Sequence, residues 1–322
     1  MQINITWDAS VSQAPTAFTT DVLNVAQSYA STFSDNVTVN IAVGYGEVGN
    51  SALPNGALGA SQTYLASISY SSLVSALKAD ATTAADASAV KSLPSHDPTG
   101  GGHYWVSTAE AKALNLYSST ALDGYVGFGK TAMDYDNSNG VDAGSYDFAG
   151  VVAHEFSEVM GRMLLVGGRI GFTPKSYTPF DLFHFSSANV RTFSGTHAGY
   201  FSVDNGVTHL QSFNTNPGGD FGDWGTTNIP DSYNAYATSG TVEPVTSGDL
   251  TAMDVLGWNR AASTLSTTVT GSALVTGGQV TQVAASQPFS PAAGFLPSGL
   301  MGVGHGLFDS HVVLDTDYYY GA

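Results

Sequence analysis

The chain has 322 residues, 43% of them apolar, which is enough to bury a sizeable core and excludes a disordered polymer. Its 26 acidic and 9 basic residues give a net charge of −17, a surface that repels phosphate backbones and anionic lipid headgroups, so nucleic acid and membrane surfaces are poor partners. Cysteine is absent, which excludes disulfides, a thiol nucleophile and a thiolate metal site, so any metal has to be held by His, Asp and Glu.

Ile3, Ile5 and Trp7 alternate with polar residues and predict a strand. After Pro15, Phe18, Val22, Val25, Ala26 and Tyr29 follow helical spacing, and Val37, Val39, Ile41 and Val43 alternate again. A right-handed crossover makes these two strands parallel if they are sheet neighbours. Helices are expected over 71–80 and 107–116, the second with Ser107 and Glu110 at capping-box spacing. Tyr125 to Phe128 reads as a strand, and Asp134 to Asp142 as a polar loop. The pattern is most strongly helical over 147–165. Residues 166–245 are rich in Gly, Asn, Ser and aromatics, with short strand-like pieces such as Tyr200 to Val203. A closing helix is expected over 247–258, with Asp249 in its first turn. Beyond about 262 the chain turns to Thr, Ser, Gly and Val with almost no charge, and 263–322 reads as a separate β-rich or loosely ordered tail with no assigned role. No apolar run is long enough to span a bilayer, and Met1 to Trp7 lacks the basic start and apolar stretch of a signal peptide.

The chemistry concentrates in DFAGVVAHEFSEVMGR, residues 147–162. Residues four apart share a helix face, so His154 and Glu158 point the same way and can grip one ion. Glu155 follows His154 along the turn, within reach of a water on that ion, which is the logic of a metalloprotease helix with a glutamate base. Here the second ligand is Glu rather than His, and carboxylates do ligate Zn²⁺. Val151, Val152, Ala153, Val159, Met160, Met163 and Leu164 surround the motif, as on a buried helix. Burying two carboxylates and an imidazole is costly without a partner. A bound cation, a buried hydrogen-bonded cluster and an exposed face all remain open readings at this point.

Four segments carry a resemblance. YDFAGVVAHEFSEVMGR (146–162), FDLFHFS (180–186), YFSVDNGVTHLQSFN (200–214) and LTAMDVLGWN (250–259) resemble, in order, segments of bacterial secreted metallopeptidases related to metzincins and leishmanolysin. The resemblance spans roughly 120–260. It implies an α+β zincin-like catalytic domain over 1–262, with the active-site helix at 147–165. In such proteins a third ligand comes from beyond the helix. The near position is Leu164, which cannot ligate, so a leishmanolysin-like insertion fits better. There the third His precedes a Trp, and in GDFGDW (219–224) that position is Asp223. Glu158 and Asp223 thus stand where the family has His, and IPDSYNAY (229–236) lacks the methionine of a Met-turn.

The reading at this stage is a secreted metal-dependent endopeptidase acting on protein or peptide substrates. His154, Glu158 and Asp223 would hold Zn²⁺, and Glu155 would take a proton from the metal-bound water and pass it to the leaving amine. The alternatives are a catalytically inactive zincin relative acting as a secreted binding or surface protein, and a protein whose ion only braces the helix. Two carboxylates also open the site to Mn²⁺ or Ca²⁺. His184 and Asp181 are further possible ligands, with structural roles the default. Asp134, Asp136, Asn139 and Asp142 form an oxygen-rich loop where Ca²⁺ is possible, although Gly140 falls one place late for an EF-hand.

Overall fold

The computed structural model describes residues 1–195, 197–216, 218–225, 229–261, 279–283, 311–315 and 319–321. The fold is α+β, a mixed sheet with helices packed on it. The sheet strands are β1 (Gln2–Trp7), β2 (Thr38–Tyr45), β3 (Ala57–Ile68), β4 (His103–Ser107), β5 (Gly124–Phe128), β6 (Gly168–Ile170) and β7 (Thr173–Tyr177). The helices are α1 (Phe18–Thr32), α2 (Tyr70–Asp80), α3 (Ala84–Ser92), α4 (Thr108–Ala113), α5 (Phe148–Val159) and α6 (Ser247–Val255).

The opening strand–helix–strand forms as the alternation predicts. β1 and β2 pair in parallel, and β2 pairs in parallel with β5. The long β3 runs against its neighbours, antiparallel to β5 through Gly59–Thr63 and to β4 through Leu65–Ile68. β7 extends the sheet in parallel from β4, and β6 turns back against β7. Three segments of the 263–322 region join this sheet. Gln279–Val283 pairs in parallel with β1, and His311–Asp315 and Tyr319–Gly321 pair antiparallel with β3. Thr63 pairs with both Gly124 and Leu314, and Leu65 with both Ser107 and Val312. A strand has only two edges, so β4 and β5 lie end to end along one edge of β3, and residues 311–315 and 319–321 line the other.

Several boundaries differ from the sequence pattern. α5 stops at Val159 rather than 165, because Gly161 takes φ +110°, a value L side chains rarely adopt. α4 ends at Ala113 rather than 116, followed by Asn115 at φ +55°. Ser107 does accept the Glu110 N–H at 3.0 Å, but the reciprocal half of the capping box is missing. The Glu110 carboxyl turns inward beneath Gly161, and neither of its oxygens has a hydrogen-bond partner. The pattern gave no sign of β3, α3, β4, β6 or β7.

α5 lies against β3 and α1 in the centre of the molecule. Phe148, Val151, Val152, Phe156 and Val159 are wholly buried, and each such side chain contributes on the order of 1.5–3 kcal/mol. Phe148 packs against Phe18 and Phe128 at ring separations of 5.2 Å, joining α5 to α1 and β5. Two polar contacts fix the helix axially. The Tyr29 hydroxyl donates to the Ala153 carbonyl at 2.8 Å and meets the Tyr233 hydroxyl at 2.8 Å. Trp258 Nε1 donates to the Met160 carbonyl at 2.8 Å, so the segment after α6 clamps the end of α5. No helix among the described residues is long and apolar enough to cross a membrane.

Candidate metal centre

His154, Glu155 and Glu158 project from α5 into a space bounded by β3 on one side and by residues 222–224 and 232–233 on the other. The imidazole is oriented from behind. Nδ1 lies 2.9 Å from the Ser232 carbonyl, and since a carbonyl only accepts, Nδ1 carries the proton. Nε2 is left facing inward, 3.6 Å from Glu158 Oε1 and 3.5 Å from Asp223 Oδ1. Ligand atoms about 2.0–2.2 Å from a four-coordinate zinc lie about 3.3–3.6 Å apart. The donor set is one imidazole nitrogen and two carboxylate oxygens, all within 4.8 Å of one another. Among the described residues this is the one group of three or more such side chains gathered in this way.

Asp223 comes from a segment 65 positions beyond Glu158, and its neighbour explains its arrival. Trp224 is wholly buried among Phe180, Phe201 and Phe213, and its Nε1 donates to Asp249 Oδ1 at 2.7 Å. Its backbone donates to the Tyr233 carbonyl and accepts from Ala235. An anchored tryptophan therefore leaves the preceding aspartate little choice of direction. The 229–236 segment, which has no methionine, runs under the site and supplies both the Ser232 carbonyl and the Tyr233 ring.

Three further residues complete the surroundings, and the sequence reading missed them all. Arg162 is wholly buried. Its Nη1 donates to Asp223 Oδ1 at 2.6 Å and to the Gly222 carbonyl at 3.2 Å, and its Nε donates to Ser157 Oγ at 2.7 Å. Its Nη2 stands 3.7 Å from Glu158 Oε1, and the guanidinium lies over the Tyr233 ring. Ser61 Oγ, from β3, donates to Glu158 Oε2 at 2.8 Å. Gly59, two residues earlier, leaves room for Glu155, since a Cβ there would fall 2.9 Å from the Glu155 Cγ. Arg162 was visible in the sequence as the residue after the helix glycine. Ser61 and Gly59 lie in a strand the pattern did not reveal.

The electrostatics separate the two glutamates. Burial pushes Glu158 up, but the His154 hydrogen bond and charge, Arg162 and Ser61 outweigh it and hold the carboxyl down at about 2. Glu155 is pushed well above the usual carboxylate range, first by burial and then by Glu158 and Asp223. Both its oxygens are buried without a hydrogen-bond partner. Asp223 is raised by burial despite His154 and Arg162. Arg162 is held protonated, because the attraction of Asp223 and Glu158 exceeds the cost of burial. An ionised carboxylate beside an inward-facing imidazole nitrogen, with a second carboxyl that favours its protonated form, suits cation ligation and proton transfer.

The other expected residues lie elsewhere. Asp181 accepts the backbone N–H groups of Leu165, Val166 and Thr178 at 3.1, 2.8 and 2.7 Å, tying down the chain after α5. His184 packs edge-on against Phe213, both ring nitrogens lack a partner, and burial pushes its pKa down to about 4. Neither belongs to the cluster. In the Asp134 to Asp142 loop the carboxylates turn to the loop's own backbone rather than to one another. Asp134 accepts from Asp136 and Asp142, and Asp136 from Ser138. Asn137 Nδ2 donates to Asp147 at 2.9 Å, tying this loop to the start of α5.

Comparison with protein-family models, with curated proteins and with solved structures found no match to this chain.

Proposed function

We propose that this chain is a zincin-like, metal-dependent endopeptidase, with His154, Glu158 and Asp223 as ligands of a divalent cation, zinc first, and Glu155 as general base. The observation that carries the reading is the convergence of His154 Nε2, Glu158 Oε1 and Asp223 Oδ1 beside a buried, unpartnered Glu155. When bound, the cation supplies a Lewis acid and makes water a nucleophile at neutral pH. The protein's own groups do the rest. The Ser232 carbonyl holds His154 in the tautomer that offers Nε2. Ser61 holds Glu158 in place, and Arg162 does the same for Asp223. Glu155 takes the proton from the attacking water and delivers it to the leaving nitrogen of the peptide bond. Burial and the neighbouring carboxylates raise its pKa, which favours the protonated form that delivers a proton to the leaving nitrogen. Two carboxylates weaken the cation as a Lewis acid, and the Arg162 charge beside both of them offsets part of that loss. Export to the cell exterior belongs to the same proposal and rests on the family resemblance.

The test is casein hydrolysis by the full chain with added zinc, with chelator, and with Glu155→Gln, alongside metal content by mass spectrometry. Hydrolysis lost under chelator and in Glu155→Gln, at one zinc per chain, is the expected result. The second reading, a non-catalytic relative acting as a binding or surface protein, is favoured by Arg162, which already places a cation against both carboxylates. A chain that neither takes up metal nor hydrolyses casein under any added divalent ion establishes that second reading.

A further inference from the structure

Asp231, from the segment under the site, and Asp249, from the first turn of α6, are each no more than 1% exposed and hydrogen-bond each other. An ionised carboxylate only accepts, so a hydrogen bond between two carboxyls needs a proton on one of them. Two bare charges at this depth would also repel each other with little water to screen them. Burial raises Asp249 well above the usual carboxylate range, and the Asp231 charge and hydrogen bond raise it further, so Asp249 keeps the proton. Burial raises Asp231 too, but the Tyr233 N–H, Thr246, Asp249 and Arg162 all favour its charged form. The ionisable groups that face the pair are Arg162 from the end of α5, Tyr29 from α1 and Tyr233 from the same segment as Asp231.

The remaining hydrogen bonds of the pair lead to the metal centre. Asp249 Oδ1 accepts Trp224 Nε1–H at 2.7 Å, and Asp223 is the residue before that tryptophan. Asp231 Oδ1 accepts the Tyr233 N–H at 2.8 Å, and Ser232 between them gives its carbonyl to His154 Nδ1 at 2.9 Å. Thr246 joins the two carboxyls, its N–H donating to Asp249 Oδ2 at 2.7 Å and its Oγ1 to Asp231 Oδ2 at 2.9 Å. Thr246 and Asp249 also form the capping box of α6. Capping alone favours an ionised Asp249, because the positive end of the helix dipole attracts an anion, and it gives Asp231 nothing to do.

We propose that Asp231 and Asp249 are positioning residues: one proton held between them fastens the segments of Asp223 and Ser232 to α6 and so sets His154 Nε2 and Asp223 Oδ1 at their spacing for a cation. That spacing is 3.5 Å. The consequence for the cation rests on the metal-centre reading, whereas the fastening does not. Partners of this kind, one step behind the ligands, are worth about 10–100-fold in metal affinity.

The test uses the full chain with Asp249→Ala, Asp249→Asn and Trp224→Phe. Carbon NMR of the aspartate carboxyls and exchange of the Trp224 indole proton are read on metal-free protein at neutral pH. Zinc affinity is read by competition with a fluorescent chelator. A protonated Asp249 beside an ionised Asp231 and a protected indole are expected in the parent. Asp249→Ala is expected to lose indole protection and zinc affinity at least tenfold each. Asp249→Asn, which keeps a neutral group able to donate to Asp231, is expected to return zinc affinity to within threefold of the parent. Trp224→Phe removes the indole donor but leaves the capping box intact, so its zinc affinity is also expected to fall at least tenfold, and it decides the matter if Asp249→Ala does not fold. Two ionised carboxyls in the parent overturn the shared proton. Parent-like zinc affinity in Asp249→Ala or Trp224→Phe overturns the positioning role. A parent that binds no zinc yet shows the protonated Asp249 and the protected indole supports the fastening and counts against the cation reading.

Discussion

Replacing Arg162 by Met asks whether the two carboxylates beside it answer to a bound cation as well as to the guanidinium. The side chain is wholly buried, donates to Asp223 Oδ1 at 2.6 Å and stands 3.7 Å from Glu158 Oε1. Removing one partner of a buried ion pair costs about 3–5 kcal/mol, because the remaining charge is left uncompensated. At about 2–4 °C per kcal/mol for a domain of this size, the metal-free variant is expected to melt roughly 6–20 °C below the parent. Zinc reverses the balance. Two unit charges about 4 Å apart at an effective permittivity of about 20 interact by about 4 kcal/mol, so losing the guanidinium removes a repulsion of that order from an incoming cation. Zinc at a hundred times its dissociation constant stabilises a protein by about 2.7 kcal/mol, and the variant is expected to gain at least about 1 kcal/mol more than the parent from the same zinc. The assay is thermal unfolding followed by circular dichroism, on both proteins, after chelator treatment and after zinc addition. Equal zinc shifts in the two proteins, or no shift in either, would refute the reasoning and leave Arg162 as the resident counterion.

Ser61→Ala removes the 2.8 Å hydrogen bond to Glu158 and is expected to weaken zinc binding about 10–100-fold, read by competition with a fluorescent chelator. Gly59→Ala places a Cβ 2.9 Å from the Glu155 Cγ, so hydrolysis is expected to fall at least tenfold while zinc content by mass spectrometry stays at the parent level; overpacking of this kind costs about 1–3 kcal/mol. Asp80 and Asp254 are pushed up to about 6, mainly by burial. Folded pKa values raised above the unfolded 3.8 mean that the stability these groups confer is full below pH 3.8 and lost as pH rises through 6. Glu158, held at about 2, has the opposite sign and loses its contribution as pH falls from 4.5 toward 2. The melting temperature is therefore expected to rise as pH is lowered from 7 to about 5 and to drop again below about 4, and a monotonic profile in calorimetry contradicts this assignment.

The parts legible in the sequence were those whose signal is local. β1, α1 and β2 announce themselves through apolar alternation and helical spacing, and α5 through an apolar helix interrupted by His154, Glu155 and Glu158. Asp223 could be named because a Trp follows it, and the structure places that Trp in the aromatic core. β3 was illegible for a physical reason. ALGASQTYLASI is built from small residues buried on both faces, so it has no alternation, and only pairing with β4 and β5 makes it a strand. Ser61 and Gly59 were lost with it. Arg162 reads locally as a charge ending a helix, and it is buried only because Asp223 arrives from 61 residues away to meet it. Glu110 fitted a capping box by spacing, yet the interior beneath Gly161 took its carboxyl instead.

The closure of the cluster bears on how a cation gets in and out. Asp223 and the Ser232 carbonyl reach Arg162 and His154 from 61 and 78 residues downstream. His154, Glu158 and Asp223 are buried, so an ion held among them would leave only when these distant contacts open. Its residence time then reports the frequency of local unfolding rather than the strength of three bonds. Chelators should strip such a protein at a rate independent of their own concentration.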